Sequence, residues 1–173
     1  MVTVTPEPDW TARLGETAQL LGVPVWTTHR DLYGVKFDLM FSCFYDRLIP
    51  GDLLAECNYP LNLHAAPLPK YRGVRPINWA LKNGEREHGV TIHRMDIGID
   101  DGPIYGRTKF SIWPEIEEVE DVYRRCLRYG WELFCDVIPR VKEITPERQD
   151  HSISSINFSK DNDLLGDRVG WHR

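Results

Sequence analysis

"NLHAAPLPKYRGVRPINWAL", residues 62–81, sets an Asn and a His two positions apart, then Pro-Leu-Pro, then a basic Arg-Gly turn. Side chains alternate faces along a strand, so Asn62 and His64 point the same way and Leu63 points the other. An amide beside an imidazole suits a carbonyl oxygen that becomes negative. The amide donates to it; a protonated imidazole adds charge and can return its proton to a leaving nitrogen. The prolines then stop the strand in a rigid turn compatible with a cis bond before Pro69. Pro76 opens "PINWALKNG", a short helix with Pro in its first turn and Gly84 just past its end.

Outward from this stretch, strands alternate with helices. "VTVT" (2–5), "VPVWTT" (23–28) and "FDLMFSCF" (37–44) read as strands, the last apolar enough to be buried on both faces. "TARLGETAQLLG" reads as a helix with Leu14, Ala18 and Leu21 on one face and Gly22 as its stop. "LLAEC" reads as one helical turn; "HGVTIHRMD" and "GPIYGRTKFSI" read as strands joined by "IGIDD". The longest helix starts near Glu117, with Val119, Val122, Cys126, Leu133, Val137 and Val141 as its core stripe and Pro139 bending or ending it. The order implies an α/β sheet, at least partly parallel, with ligands at the carboxyl ends of its strands.

The 173 residues are the length of one domain, with 42% apolar and 27% charged residues of both signs, as in a soluble globular protein. No apolar run approaches the roughly 20 residues that cross a bilayer, so no membrane is expected as partner. The formal net charge of −5 argues against a nucleic-acid partner. Cys43, Cys57, Cys126 and Cys135 form no C-x-x-C pair, which favours a reducing, cytoplasmic setting and mostly core roles.

Asn62 and His64 need a carboxylate. "MDIGIDDGPI" supplies Asp96, Asp100 and Asp101 in a glycine-flexed loop, and spacing alone leaves all three open. Each piece also has a plain structural reading: buried Asn and His find local partners, and Asp beside Gly forms turns. His64, His88, His93 and Asp96 lack the tight helical spacing of a zinc motif, which argues against a metal. Lys70, Arg72 and Arg75 are either a solvated surface or a grip on phosphate or carboxylate.

"NLHAAPLPKYRGVRPINWALKNGEREHGVTIHRMDIGIDDGPI" resembles the core of the folate-dependent formyltransferases, over residues 2–113. "FSCFYDRLIP…LNLHAAPLPKYRGVRPINWALKNGE…GVTIHRM" is particularly similar to the formyltransferase domain acting on UDP-4-amino-4-deoxy-L-arabinose. The resemblance implies a Rossmann-like α/β formyltransferase sheet, mostly parallel. In that family a first strand, a small-residue loop and a first helix precede the segment matching "VTVTPEPD". Met1 falls at about the second strand, so the first strand and helix are expected to be lacking, either as a natural short form or through loss of the start.

Position by position, the resemblance makes Asn62, His64 and Asp100 catalytic, Asp100 standing two residues before Gly102. It places 10-formyltetrahydrofolate, the formyl donor, between Asp46, Arg47 and Leu48 on one side and Asp96, Ile97, Gly98 and Ile99 on the other. It sets Lys70, Arg72 and Arg75 near the acceptor, a primary amine of a small molecule, in first place a nucleotide-linked amino sugar. The family pattern is broken at Ala66, Pro67 and Pro103, around the presumed triad. Methionyl-tRNA, water as acceptor (a formyltetrahydrofolate hydrolase) and a folate- or nucleotide-binding remnant stand as alternatives. Residues 1–145 are expected to form the catalytic core and 146–173 a short tail packed on it. The incomplete sheet and the apolar Trp171 tail favour a homodimer.

Overall fold

The structure is a computed structural model that describes residues 2–3, 13–26, 28–45 and 47–166. Along the chain run β1 (Val2–Thr3), α1 (Leu14–Leu20), β2 (Val25–Trp26), β3 (Leu39–Cys43), α2 (Gly51–Ala55) and β4 (Tyr59–His64). There follow β5 (Arg72–Gly73), α3 (Pro76–Lys82), β6 (Glu87–Arg94), β7 (Ile104–Ser111), α4 (Val119–Val137) and β8 (Ile156–Asn157). The main sheet has the order β3-β4-β6-β7. β3 and β4 are parallel; β4–β6 and β6–β7 are antiparallel. Two short pairs stand apart, β1 with β2 and β5 with β8, both parallel. The α/β class holds, with a parallel pair leading into an antiparallel one.

α4 covers one face of this sheet. Val119, Val122, Cys126, Leu133 and Val137 are buried along it, on the same side as Leu61, Leu63, Val90 and Ile92 of β4 and β6. Gly130 lets the helix lie close: a Cβ there would stand 2.6 Å from a Leu63 methyl. The helix opens on a capping box between Glu118 and Asp121 and gives way to a 3-10 turn, Ile138–Arg140, at Pro139. α3 has Pro76 at its first turn, and Gly84 follows its end with a φ of +69°. The Leu68–Pro69 bond is cis.

Three readings need correction. In β3 only Met40 is buried and Cys43 is exposed, because among the described residues β3 is the edge of its sheet. In α1 only Ala18 is buried; Leu14 and Leu21 are 49% and 73% exposed, and among the described residues the β1–β2 pair beside it is two residues long on each strand. Of the four cysteines, all free thiols, Cys57 and Cys126 are core residues, whereas Cys43 and Cys135 are exposed. Residues 4 and 5 of the first strand, and Trp171, lie outside the described residues. After α4 the chain returns to the sheet: β8 pairs with β5, and Leu165 is buried in the main core.

Candidate active site

The face of the sheet opposite α4 carries the polar residues. In the β4–β6 register Asn62 stands opposite His93 and His64 opposite Thr91. These are cross-strand neighbours, whose side chains meet. Asn62 Nδ2 lies 3.1 Å from His93 Nε2. His93 Nδ1 lies 2.7 Å from the Arg94 carbonyl, which can only accept, so that nitrogen carries the proton. In neutral His93 the Nε2 lone pair therefore takes one of the two amide protons of Asn62. The other points to Asp100 Oδ1 at 3.5 Å, a distance at the limit of a hydrogen bond.

His64 is fixed by the same logic. Its Nε2 donates to the Tyr71 carbonyl at 2.8 Å, leaving Nδ1 to face Asp100 Oδ2 at 3.5 Å. Burial lowers the pKa of His64, and the Asp100 carboxylate works against that shift. Nδ1 is thus a neutral base held beside an anion that would stabilise its protonated form. Burial alone would raise the Asp100 carboxyl, yet the His64 and His93 imidazoles, when protonated, and the Gly73 amide hold it well below the usual carboxylate range. The Gly73 N–H donates to Oδ2 at 2.8 Å.

Asp100 adopts a φ of +48° and Tyr71 one of +61°, both costly for side chains with a Cβ. Gly73, at +83°, has no such cost, and a Cβ there would stand 2.2 Å from the Asn157 carbonyl of β8. The chain leaving His64 is clamped from β6. His88 Nε2 donates to the Ala65 carbonyl at 2.8 Å, and Thr91 Oγ1 donates to Ala66 O at 2.7 Å and accepts from Leu68 N. Arg107 donates to the Leu68 carbonyl. The Pro-Leu-Pro stretch is therefore a rigid link between the end of β4 and the Tyr71–Gly73 turn.

Beside the triad lies a cavity of about 470 Å³, lined by Gly51, Leu54, Ala55, Arg94, Met95, Asp96, Ile97, Gly98 and Asp101. Of the residues the resemblance implied for the donor, Asp96, Ile97 and Gly98 line it; Arg47 and Leu48 are exposed and do not, and Asp46 lies outside the described residues. Ile99 is half-buried, its carbonyl taken by Arg72 Nε at 2.7 Å. Of the three basic residues Arg72 is tied to the Asp100 loop, its guanidinium also 3.5 Å from Asp101. Lys70 turns to Glu85 at 3.8 Å, and Arg75 precedes α3 with a φ of +53°. Among the described residues no group of three His, Cys, Asp or Glu could hold a metal ion.

Two residues beside the triad have no such role in the sequence reading: His93, which reads there only as a candidate metal ligand, and Gln149, which carries no local motif. The signal for His93 is the β4–β6 register, which a crossover through α3 hides.

Residues 27–138 match the formyl transferase family. A methionyl-tRNA formyltransferase from Dictyoglomus thermophilum is 38% identical over 124 residues, 70% of this chain and 39% of that protein. An N-formyltransferase from Helicobacter canadensis, solved with folinic acid and dTDP-3-aminofucose, superposes with a TM-score of 0.78 at 29% identity, covering 88% of this chain and 56% of that one. A 4-N formyltransferase from Francisella tularensis gives 0.67 at 31% identity, over 78% of this chain and 55% of the other. The chain thus spans about two fifths of the sequence relative and just over half of the two solved ones. With the match extending over α2 to α4 and every strand of the main sheet, the chain belongs to the formyl transferase family.

Proposed function

We propose that the protein transfers a formyl group from 10-formyltetrahydrofolate to a primary amine of a small molecule, in first place an amino sugar carried on a nucleotide. The observation that carries this is the convergence of the Asn62 amide, the His64 imidazole and the Asp100 carboxylate, each within 3.5 Å of another. Asn62 keeps one N–H on His93 and exchanges its long contact with Asp100 for the formyl oxygen. The acceptor nitrogen attacks the formyl carbon, and His64 Nδ1 takes the proton that this nitrogen sheds. The imidazolium, stabilised by Asp100, and the Asn62 amide then share the negative oxygen. His64 returns the proton to the folate nitrogen as its bond to carbon breaks.

The cavity fits the flat, polar-edged end of a folate. Leu54, Ala55, Met95 and Ile97 give it apolar walls, and Asp101 Oδ1 is a buried acceptor with no partner among the described residues, suited to a ligand N–H. Asp96, Ile97 and Gly98 would hold the donor from this side. The complex of the Helicobacter relative with folinic acid and a dTDP-amino sugar supports this donor and acceptor class. Arg72, which already ties the Asp100 loop, would meet the acceptor's phosphate or sugar.

The test is to incubate the purified protein with 10-formyltetrahydrofolate and a panel of nucleotide amino sugars, with initiator methionyl-tRNA as a second arm. A formyl mass gain on a nucleotide sugar is expected. Transfer to methionyl-tRNA alone would move the acceptor to the class acted on by the Dictyoglomus relative. Release of free formate without an amine product would make the protein a hydrolase, and no turnover of the donor in any arm would overturn the enzyme reading.

A further inference from the structure

The Asp100 loop is held by a residue far from it in sequence. Gln149 is buried at 8% exposure, and its Nε2 donates to the Asp100 carbonyl at 2.9 Å and to the Gly102 carbonyl at 2.8 Å. Its Oε1 is buried without a partner among the described residues. The reverse amide orientation would set that oxygen against two carbonyls, so this side chain serves as a donor. With Arg72 on the Ile99 carbonyl at 2.7 Å, the carbonyls of residues 99, 100 and 102 are all gripped by side chains.

The segment bearing Gln149 is itself anchored to both neighbours of the triad. Glu147 and Ile104 exchange backbone hydrogen bonds of 2.7 and 2.8 Å just beyond the loop. Further on, Ser155 accepts from Arg72 N at 2.9 Å, and its hydroxyl accepts from Tyr71 N at 2.8 Å. The loop has no slack at its far end. A Cβ on Gly102 would stand 2.1 Å from the Arg94 carbonyl, and Arg94 N donates to Pro103 O at 2.8 Å. Between these fixed points Asp100 sits at a φ of +48°, from which an unrestrained residue would relax.

We propose that Gln149 is a positioning residue: it fixes the Asp100 carboxylate against His64 Nδ1 by holding the Asp100 carbonyl and, two residues on, the Gly102 carbonyl, while Arg72 holds the Ile99 carbonyl before it. Its consequence for turnover rests on the formyl-transfer reading; its consequence for His64 does not. The charged or titratable groups acting on His64 are Asp100 from the loop, His93 from β6 and Arg72 from β5, with His88 interacting with it from the other face of β6. Only Asp100 is governed directly by Gln149.

The experiment compares wild type with Gln149→Met, which keeps the length and removes both donors, by NMR titration of the His64 ring proton and by kinetics. The His64 titration is expected to move to lower pH as Asp100 drifts away. kcat is expected to fall roughly ten- to hundredfold, the cost of a misplacement of about 1 Å, with KM for the amine little changed. Combined with Asp100→Asn, the substitution should slow the enzyme no further than Asp100→Asn alone. If Gln149→Met does not fold, Gln149→Asn, an amide one methylene short, carries the same comparison. An unchanged His64 titration in a folded variant, or additive losses in the double variant, overturns the proposal. A moved titration in a protein whose wild type transfers no formyl group supports the positioning and removes the activity reading instead.

Discussion

Single side chains in the site are set by what they can and cannot donate. Asn62 has two amide protons and three claimants: His93, Asp100 and the proposed formyl oxygen. Asn62→Ala is expected to slow turnover about a hundredfold or more, since one oxyanion donor is worth about 2.7–4 kcal/mol. Steady-state kinetics on a folded variant decides this, and near-normal turnover would remove Asn62 from the chemistry. His93→Leu keeps the bulk and removes the lone pair that orients Asn62. Turnover should fall roughly five- to tenfold, about the worth of one net hydrogen bond. A kcat equal to wild type would show that Asn62 needs no partner. Asn62 and His64 were legible as a same-face pair from strand alternation alone. Which acid meets them was not legible from spacing, and only the family resemblance pointed to Asp100: in the fold Asp96 is exposed and pairs with Arg94 at 3.6 Å, Asp101 pairs with Arg72, and Asp100 reaches His64.

At the scale of elements, β6 is the organiser. One face gives His93 and Thr91 to the site, while His88 on the other pins the Ala65 carbonyl and packs against Phe110 and Tyr71. Burial lowers His88 from its ordinary value of 6.5 to about 4, partly offset by its bond to Ala65. As pH falls past 6.5 the unfolded chain takes up this proton first. The folded state therefore loses stability between pH 6.5 and about 4, by up to about 3 kcal/mol from this fully buried group. Asp100 acts in a lower window. Its carboxyl is depressed, so its contribution is present above the ordinary value of 3.8 and fades only as pH drops towards its folded pKa. Urea titrations should show a falling midpoint from pH 6.5 to 4 and a flatter dependence in His88→Leu; an equal slope in both would assign the effect elsewhere. That variant is also expected to cost about 1–3 kcal/mol at neutral pH, because the Ala65 carbonyl stays buried without its donor. The period-two and helical patterns placed β4, α3, β6, β7 and α4 correctly. They overstated β3 and α1, because periodicity tells which face is apolar and not whether anything covers it.

For the molecule as a whole, the segment after α4 joins parts that the sheet alone leaves apart. β8 braces the Gly73 turn, Gln149 braces the Asp100 loop and Leu165 enters the core. We propose on this basis that a chain ending after residue 145 keeps its main sheet and α4 yet loses formyl transfer. Circular dichroism should show native-like content with a lower melting temperature, and the donor-turnover assay should read near zero. Full activity in the shortened chain would make the segment dispensable. Among the described residues no helix is long and apolar enough to cross a membrane.

By itself the sequence determined what neighbours along the chain determine. Asn62 and His64 share a face, the prolines stop their strand, Pro76 starts a helix, and a stripe of valines fixes the inner side of α4. The tertiary structure decided the partners: His93 for Asn62 across 31 positions, Asp100 across 38, and Gln149 for the Asp100 loop across 49. Local patterns report the faces of an element, whereas these contacts depend on strand register and on the path of the returning chain. Both are settled only when β4, β6 and the segment behind them pack together.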